Sequence, residues 1–516
     1  MIKKKFPTWL DDAVFYEIYP QSFKDTNGDG IGDLNGIIEK LDYIKELGCT
    51  AIWINPCFDS PFKDAGYDVS DYYKIAPRYG TNEDMKKLLD EAHKRNMHVL
   101  LDLVPGHTSV EHKWFKESIK ATKNEFTDRY IWTDAVWNEP KGYACLRGIS
   151  DRDGSVAVNF FSHQPALNYG YYKKDPDEPW RQLQDDEGPQ KTLKEMIDVM
   201  RFWLTMGCDG FRVDMASSLV KDDVESRGTI KLWKKVRKFL DEEFPQAALI
   251  AEWGEPSKSI PGGFHMDFLL QFGSSHYNDL FHLENPFFDG NGDVSEFVKK
   301  YIENYEKSHK KGLMCIPSGN HDTYRISRSI KGIKLHIAYG FILTMPGAPF
   351  IYYGDEIGMK YIEGLTSVEG GFKRTGSRSP MQWDNSLNAG FSTASKDMLY
   401  VPLDEDKERP NVENQMADKG SLLNEIKKLI AFRKEHICLQ SNGDIEFVYA
   451  KKNEYPLAYI RKDEKEKLLV IVNPSDKDVD ITIDLKVKKK LYLIGNSKVE
   501  GNKIKIGKES YVVYEI

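Results

Sequence analysis

Short apolar runs alternate with helix-like patterns along the first 355 residues of the chain. Residues 14–19 and 51–54 have the composition of buried strands, and between them Ile37, Leu41 and Ile44 recur at the spacing of one helix face. The same unit repeats, and the apolar runs predict eight strands, the others lying at 99–101, 210–213, 249–251, 266–270, 313–316 and 349–353. Because runs buried on both faces and separated by helices are typical of a parallel sheet, the pattern predicts an α/β fold, a closed (β/α)8 TIM barrel.

Two segments depart from this pattern. Residues 105–170 are too many for an ordinary loop after the third strand and predict a small inserted subdomain. After about residue 435 apolar and polar residues alternate with a period of two, as at Ile445, Phe447 and Tyr449, which predicts an all-β C-terminal sandwich. The expected boundaries are 1–104 and 171–434 for the barrel, 105–170 for the insert and 435–516 for the β-sandwich domain.

Composition excludes several classes of function. The 516 residues include 72 Lys and Arg against 80 Asp and Glu, so the net charge is −8 and nucleic acid is not an expected partner. No apolar run is long enough to span a membrane, and the basic start lacks the apolar stretch of a secretory signal, so we expect a cytoplasmic protein, a mature secreted form being the alternative. The six scattered cysteines favour free thiols.

Carboxylates follow three of the predicted strands. Asp214 and Glu252 each close an apolar run, and Asp322 stands shortly after another. The carboxyl ends of barrel strands meet at one mouth, so these side chains are expected to converge. Cleavage of a glycosidic bond needs one ionised carboxylate beneath the anomeric carbon and one protonated carboxyl group beside the leaving oxygen. Other polar residues expected at this mouth are Asp102, His107, Arg212 and His321.

Several motifs together resemble a known family. Four segments are similar in order and context to the signature regions of the α-amylase superfamily, glycoside hydrolase family 13: Asp102-Leu-Val-Pro-Gly-His107, Gly210-Phe-Arg-Val-Asp214, Glu252-Trp253 and Asn320-His-Asp322. Gln164-Pro-Ala-Leu-Asn168 resembles the fifth region. The segments at 346–356 and 378–383 resemble the branch that contains oligo-1,6-glucosidases, α-glucosidases and related transglycosidases.

The resemblance implies a retaining mechanism and a role for each matching residue. Asp214 would be the nucleophile, Glu252 the general acid/base, and Asp322 the group that stabilises the oxocarbenium-like transition state. Arg212 lies two residues before Asp214, on the same face of a strand, and would keep it ionised. The remaining candidates for substrate binding are Asp102 and Gln164, His107 and His321 as donors to sugar hydroxyls, and Tyr67 stacked beneath the sugar.

Asp64 and Arg378 match positions that grip the terminal glucose in exo-acting relatives. We expect them to pair at the floor of a pocket that admits one terminal sugar. The predicted function is release of glucose from malto-oligosaccharides or related short α-glucosides. The alternatives are an endo-acting α-amylase or neopullulanase-like enzyme, a glucosyl transferase or isomerase such as trehalose synthase and, from another class, a non-catalytic barrel subunit. The expected partner is the oligosaccharide, bound by a monomer or small homo-oligomer.

Five positions depart from the usual family pattern. Gly106 stands where Asn normally precedes the histidine, and Ala166 stands where the fifth region usually has Asp. The sequence 217–218 is Ser-Ser where amylases often have Lys-His. Met215 is neither the Val that accompanies α-1,6 bonds in this branch nor the small residue that accompanies α-1,4 bonds. The linkage preference therefore stays open.

A loop after the first strand carries oxygen ligands at alternate positions. Hard oxygen donors suit Ca²⁺ better than a transition metal, with Mg²⁺ as the alternative. The loop is not an EF-hand, because Gly36 stands where the twelfth-position Glu would be. The family resemblance also implies a structural Ca²⁺ here. The expected ligands are the side chains of Asp25, Asn27, Asp29 and Asp33 and the carbonyl of Ile31.

Overall fold

A closed barrel of parallel strands forms the centre of the protein. The structure, a computed structural model, describes residues 6–270 and 273–516. The barrel strands are β1 (Phe15–Ile18), β2 (Ala51–Ile54), β3 (His98–Leu103), β4 (Gly210–Val213), β5 (Ala248–Ala251), β6 (Met266–Phe268), β7 (Leu313–Pro317) and β8 (Ala348–Tyr352). Each strand pairs with its neighbours in chain order, and β8 pairs with β1 to close the ring. The predicted (β/α)8 barrel is confirmed.

Aromatic side chains fill the inside of the barrel. Phe15 stacks on Phe350 with ring centroids 4.2 Å apart, and Trp53 lies 5.5 Å from Phe268. All four are buried. Because these side chains occupy the interior from several strands, the barrel is a packed core, and polar chemistry is confined to the strand ends.

Helices cover the outside of the barrel and connect its strands. The amphipathic α3 shows the reason for this placement, since Met85, Leu88 and Leu89 are buried on one face while its exposed face is charged. The described α-helices are α1 (Leu34–Glu39), α2 (Leu41–Leu47), α3 (Asn82–Lys94), α4 (Lys113–Ser118), α5 (Glu187–Met206), α6 (Arg227–Glu243), α7 (Pro256–Gly262), α8 (Asn278–Phe281), α9 (Ser295–Ser308), α10 (Ile333–Thr344), α11 (Val412–Ala417) and α12 (Leu422–Glu435).

The chain between β3 and α5 forms a small layer of its own. It contains α4 and a two-stranded ladder of Cys145–Leu146 with Val156–Ala157. An antiparallel bridge joins His107 to Ala166. This bridge ties the start of the segment to its far end, and both lie next to the carboxyl end of the barrel.

The last part of the chain is an antiparallel β-sandwich, as predicted. Its strands are β9 (Asp444–Tyr449), β10 (Leu457–Lys462), β11 (Lys467–Asn473), β12 (Val479–Thr482), β13 (Lys489–Ile494), β14 (Ser497–Glu500), β15 (Lys503–Ile506) and β16 (Ser510–Glu515). One sheet has the order β9-β10-β11-β16-β13 and the other β12-β15-β14. Alternate residues of β11 face opposite ways: Leu469 and Ile471 pack in the cluster between the sheets, and Leu468 and Val470 join the main core.

A buried arginine joins this sandwich to the barrel. Arg461 on β10 is fully buried and donates hydrogen bonds to backbone carbonyls on two separate segments, at Thr344 and at Leu439, Gln440 and Gly443. Arg433 in α12 likewise donates to the carbonyl of Leu343, in the last turn of α10, and to those of Met345 and Gly347, which follow the helix. Burial lowers the pKa of both guanidinium groups. The end of α10 is therefore capped by cations from two other parts of the chain.

Disulfide bonds and membrane-spanning helices are two further points on which the sequence gives an expectation. All six cysteines are free, as expected. Five of them are buried, and only Cys145 is partly exposed. None of the described helices combines the length and the apolar character that crossing a membrane requires.

Candidate active site

A cavity of about 520 Å³ opens at the carboxyl ends of the barrel strands. Its walls include Asp214, which follows β4, Glu252, which follows β5, and Asp322, in the loop after β7. The structure thus brings together the three carboxylates that the sequence placed at strand ends. The cavity wall also contains Asp64, Tyr67, His107, Met215 and Arg374.

Arg212 is the centre of the charge arrangement. This buried guanidinium on β4 contacts three carboxylates: its Nη1 lies 2.9 Å from Asp102 Oδ1 and 3.2 Å from Asp214 Oδ1. Its Nη2 lies 2.9 Å from Glu252 Oε2. The two-residue spacing in the strand points Arg212 and Asp214 to the same side, which is why one arginine can reach both.

The two central carboxyl groups bind protons more tightly than ordinary ones. Burial raises the pKa of Asp214 and that of Glu252, each to about 7, while the Arg212 guanidinium opposes the rise. Neighbouring carboxylates raise both values further. Because the two groups share one cation and repel each other when both are ionised, the pair is expected to hold about one proton near neutral pH.

A strained residue connects the two carboxyl groups. Met215 follows Asp214 directly and has a φ of 42°, a left-handed conformation that is costly for a non-glycine residue. In this conformation its backbone N–H donates to Glu252 Oε2 at 2.9 Å. The carbonyl of Glu252 in turn accepts from the N–H of Ala216 at 3.1 Å. The backbone after β4 therefore fixes Glu252 relative to Asp214.

Tyr67 and His107 line the cavity, and the fully buried His321 contacts Tyr67. The Tyr67 hydroxyl donates to Asp102 Oδ2 at 3.2 Å and lies 2.6 Å from His321 Nε2. His107 is at the cavity wall, but both ring nitrogens are engaged: Nε2 is 3.0 Å from the Tyr67 carbonyl and Nδ1 is 3.0 Å from Asn159 Nδ2. Burial lowers the pKa of His107 to about 3, so the ring is neutral. Donation by His107 to a sugar hydroxyl would require one of these bonds to break.

The expected pairing of Asp64 with Arg378 is wrong. Arg374 is the arginine beside Asp64, with Nη2 3.6 Å from Oδ1, and Gln164 Nε2 donates to the other oxygen at 2.7 Å. Arg374 also binds Asp322 Oδ1 at 2.8 Å. Because Arg374 belongs to the short 3₁₀ helix Phe372–Ser377 at the cavity wall, its side chain reaches the cavity.

Arg378 lies beneath Asp322 instead of facing the open cavity. It is 1% exposed, and its Nη2 is 3.1 Å from Asp322 Oδ1. Its Nε donates to the backbone carbonyl of His321 at 2.9 Å, and its Nη1 donates to the Tyr19 hydroxyl at 3.3 Å. Arg374 and not Arg378 therefore faces the cavity, and Arg378 contacts Asp322 and the backbone of its loop.

Asp322 is surrounded by cations. Arg374 and Arg378 contact one oxygen, and His321 Nε2 lies 3.1 Å from the other. These positive groups hold the pKa of Asp322 well below its usual value, although burial acts in the opposite direction. Asp322 is therefore ionised over the whole range in which Asp214 and Glu252 titrate.

Sequence reasoning missed several residues of this site. Arg374 stands four positions before Arg378, and this spacing of two arginines was the available signal. Glu17, which contacts His321, is a charged residue inside an apolar strand, and that contrast could have indicated a polar function. Asn159 gave no local signal, because its contact with His107 depends on how the inserted segment folds.

The loop at residues 25–33 has the donor chemistry for a hard cation. Its side-chain donors are all oxygens, but Asp25 already accepts N–H groups of Asn27, Gly28 and Gly30. Asp33 accepts from Thr26, again through a backbone N–H. In the described part of the chain no three His, Cys, Asp or Glu side chains converge as a metal site. A cation here would therefore also need the amide oxygen of Asn27 and the carbonyl of Ile31.

A family model for the α-amylase catalytic domain matches residues 17–442. The chain belongs to the α-amylase family. A second model, for the C-terminal domain of the α-amylase SusG, matches residues 457–508. The two matches cover the barrel and most of the β-sandwich, so the whole architecture is that of glycoside hydrolase family 13.

The relatives act on several α-glucosides. A glucan 1,6-α-glucosidase of Streptococcus pneumoniae serotype 4 is 33% identical, over 93% of this chain and 94% of that protein. A trehalose synthase/amylase of Mycobacterium tuberculosis is 32% identical, over 93% of this chain and 84% of its own length. A solved isomaltulose synthase from Erwinia rhapontici NX5 in complex with sucrose is 27% identical, with a TM-score of 0.82 and coverage of 99% of each chain. This family member is an enzyme that acts on α-glucosides.

The carboxyl pair predicts a pH dependence. With the pKa of Asp214 and Glu252 each raised to about 7, activity should be greatest while the pair holds one proton. It should fall on the acid side as a second proton binds and on the alkaline side as the last proton leaves. We expect a bell-shaped kcat/KM profile with its maximum within about one unit of pH 7. Initial rates on maltose and isomaltose from about pH 4 to 9 measure it, and an acid limb near pH 4 would contradict the expected desolvation of the pair.

Proposed function

We propose that this enzyme hydrolyses α-glucosidic bonds of malto-oligosaccharides or related short α-glucosides with retention, releasing glucose from the non-reducing end. The proposal rests on one cavity that contains two charged clusters. In the first, Asp214 and Glu252 both contact Arg212. In the second, Arg374 lies between Asp64 and Asp322. The first group supplies the chemistry of bond cleavage, and the second supplies donors and acceptors for the hydroxyls of one sugar.

The proposed reaction has two steps. In the first, Asp214 attacks the anomeric carbon while Glu252 gives its proton to the leaving oxygen, which forms a covalent glycosyl–enzyme ester and frees the rest of the substrate. In the second, Glu252 takes a proton from water, and the water oxygen displaces Asp214 from the same carbon. Arg212 supports both steps because its contact with each carboxylate favours the ionised form when the proton has left.

Asp322 is proposed to stabilise the positive charge that develops on the sugar. It remains an anion beside Arg374, Arg378 and His321, and it faces the same cavity as Asp214. A fixed anion close to an oxocarbenium-like centre favours the transition state over the uncharged substrate. Because its cationic neighbours are held by the protein, little rearrangement is needed when the charge appears.

The exo mode is supported by the position of Arg374. Its guanidinium lies between Asp64 and Asp322 at the cavity wall, so this end of the cavity is occupied by a linked set of charged side chains. A continuous groove for a long glucan would have to pass through this set. We therefore infer that the terminal sugar is bound here and that the next sugar points toward the open mouth.

A second candidate function is glucosyl transfer or isomerisation. Aromatic side chains stand at the mouth, where the ring of Phe161 lies 6.1 Å from that of Phe372, and Phe160 and Phe372 are both largely exposed. Apolar rings at this position could keep water from the glycosyl–enzyme and favour another sugar as acceptor. Product analysis over time on maltose, maltotriose, isomaltose, sucrose, trehalose and starch, with NMR of the anomers, separates these reactions and the linkage preference.

Removal of either central carboxyl group should abolish turnover. Asp214→Asn and Glu252→Gln each remove a group required in both steps, so we expect kcat to fall by at least about 1,000-fold with unchanged folding. The matched control is Glu356→Gln, because Glu356 is also buried and its Oε1 accepts hydroxyl groups of Tyr16 and Tyr43 that an amide oxygen can still accept. Retention of more than about a tenth of wild-type activity by either variant would refute the assignment.

Arg374→Met should impair binding of the terminal sugar. We expect kcat/KM on maltotriose to fall by about 10- to 100-fold, because a charge-assisted contact to the substrate is lost and Asp64 loses its cationic neighbour. The control is Lys373→Met, which removes the same charge at an exposed neighbouring position. Rapid loss of starch viscosity before glucose appears would show endo-cleavage and overturn the exo mode.

We further propose that the loop at residues 25–33 binds one structural Ca²⁺. Since an ion that binds only the folded state stabilises it by mass action, EDTA should lower the melting temperature and Ca²⁺ should restore it, without altering the product profile. Asp29→Asn should make the melting temperature insensitive to both additions. An unchanged melting temperature of the wild-type protein after complete chelation would argue against the site.

A further inference from the structure

A buried carboxylate lies inside the barrel, behind the cavity. Glu17 on β1 is 1% exposed, and its Oε1 is 2.9 Å from His321 Nδ1. Asn55 Nδ2 donates to the same oxygen at 3.2 Å, and it also lies 3.0 Å from His321 Nδ1. An ionised carboxylate is costly to bury without a cationic partner. Among the described residues in contact with Glu17, the His321 ring is the one that can become a cation by gaining a proton.

The other side of the His321 ring also faces acceptors. Nε2 is 3.1 Å from Asp322 Oδ2 and 2.6 Å from the Tyr67 hydroxyl. The Tyr67 hydroxyl also has Asp102 Oδ2 as an acceptor at 3.2 Å, so it can accept from Nε2 while its own proton goes to Asp102. Ionised Glu17 at Nδ1 and ionised Asp322 at Nε2 each require a hydrogen on the ring, and this requirement outweighs the approach of the Asn55 amide to Nδ1. A neutral imidazole has only one, and an imidazolium has two.

The charges around His321 come from several elements. Burial lowers the pKa of the ring, but Asp322 and Glu17 raise it to about 9 overall. Arg378 acts against protonation from below, since its Nε binds the His321 carbonyl. Tyr19, after β1, stacks on the His321 ring with ring centroids 6.2 Å apart. Asp102 on β3 and Arg212 on β4 contact the Tyr67 hydroxyl, which in turn contacts His321.

We propose that Glu17 is a positioning residue that keeps His321 in its imidazolium form, so that a fixed cationic N–H lies beside Asp322 at the edge of the cavity. The imidazolium holds Asp322 as an anion and orients the Tyr67 hydroxyl toward Asp102. A neutral ring would leave one of the two carboxylates facing a nitrogen lone pair. The kinetic consequence rests on the proposed function, because it requires Asp322 to act on the bound sugar, whereas the protonation state itself does not.

The direct test is NMR of protein labelled with ¹⁵N-histidine, with the His321 signals assigned by their loss in His321→Gln. In the wild-type protein both ring nitrogens should show imidazolium shifts at pH 7 and remain so to at least about pH 8. In Glu17→Gln, which keeps the shape and removes the charge, the ring should titrate at least about one pH unit lower. A neutral His321 ring in the wild-type protein at pH 7, or an unchanged titration in Glu17→Gln, would overturn the proposal.

Kinetics give a second test that a purely structural role would not pass. The ratio of kcat/KM between wild type and Glu17→Gln should rise by about tenfold from pH 5.5 to pH 8, because the variant loses the imidazolium as the pH increases. Glu17→Asp, which retains the charge, should restore most of the alkaline activity. Glu356→Gln, the buried-carboxyl control, should give a ratio independent of pH. A pH-independent ratio for Glu17→Gln would contradict the proposed role of Glu17 even if the enzyme proved to be a glucosidase. The NMR test of His321 does not depend on which substrate the enzyme uses.

Discussion

The contact of Arg212 with three carboxylates is the interaction on which this site depends. Asp102, Asp214 and Glu252 come from three neighbouring strands, and their burial is possible only because a permanent cation lies between them. Lysine could not replace it, since a single ammonium group lacks the planar fork that reaches three partners at once. The same contact opposes the rise in pKa that burial causes in the two central carboxyl groups, which is why the pair is expected to hold about one proton near neutral pH. One side chain therefore links the position and the ionisation of all three carboxyl groups.

A second charged group repeats this principle with the signs reversed. Asp322 is an anion enclosed by cations, and one of these cations, His321, depends in turn on the buried Glu17. The site therefore has two parts with opposite charge arrangements. In one, carboxyl groups surround the Arg212 cation, and in the other, cations surround the Asp322 carboxylate. Charges fixed in this way need not reorganise when charge develops on a substrate, which is the main electrostatic advantage of a preformed site. Because one fold can serve different reactions, the mouth of the cavity, where Phe161 and Phe372 stand, is where we propose that the choice between water and a sugar acceptor is made.

The barrel and its carboxylates could be predicted from sequence because both follow from periodicity and topology. Asp214 and Glu252 each follow an apolar run that forms a barrel strand, so the direction of the strand places the carboxyl group at the mouth, independent of side-chain packing. The predicted Asp64–Arg378 pair was wrong because the position of a residue along a loop does not determine where its side chain points. Arg374 faces the cavity and Arg378 lies beneath Asp322, although the two stand only four positions apart. Likewise the partner of His107 comes from the inserted segment, and no local pattern indicates where Asn159 will fold. Contacts between distant segments are decided by packing, which a single sequence does not display.

The buried Arg461 has a consequence for how such proteins can change over generations. Its guanidinium is supplied by the β-sandwich, and the carbonyls that it satisfies belong partly to the helix α10 of the barrel and partly to the connecting chain. A genetic exchange that replaced the sandwich alone would leave those carbonyls without a donor unless the incoming module carried an arginine at the same place. Transfer of the sandwich together with its barrel would keep the arginine and its acceptors in one unit.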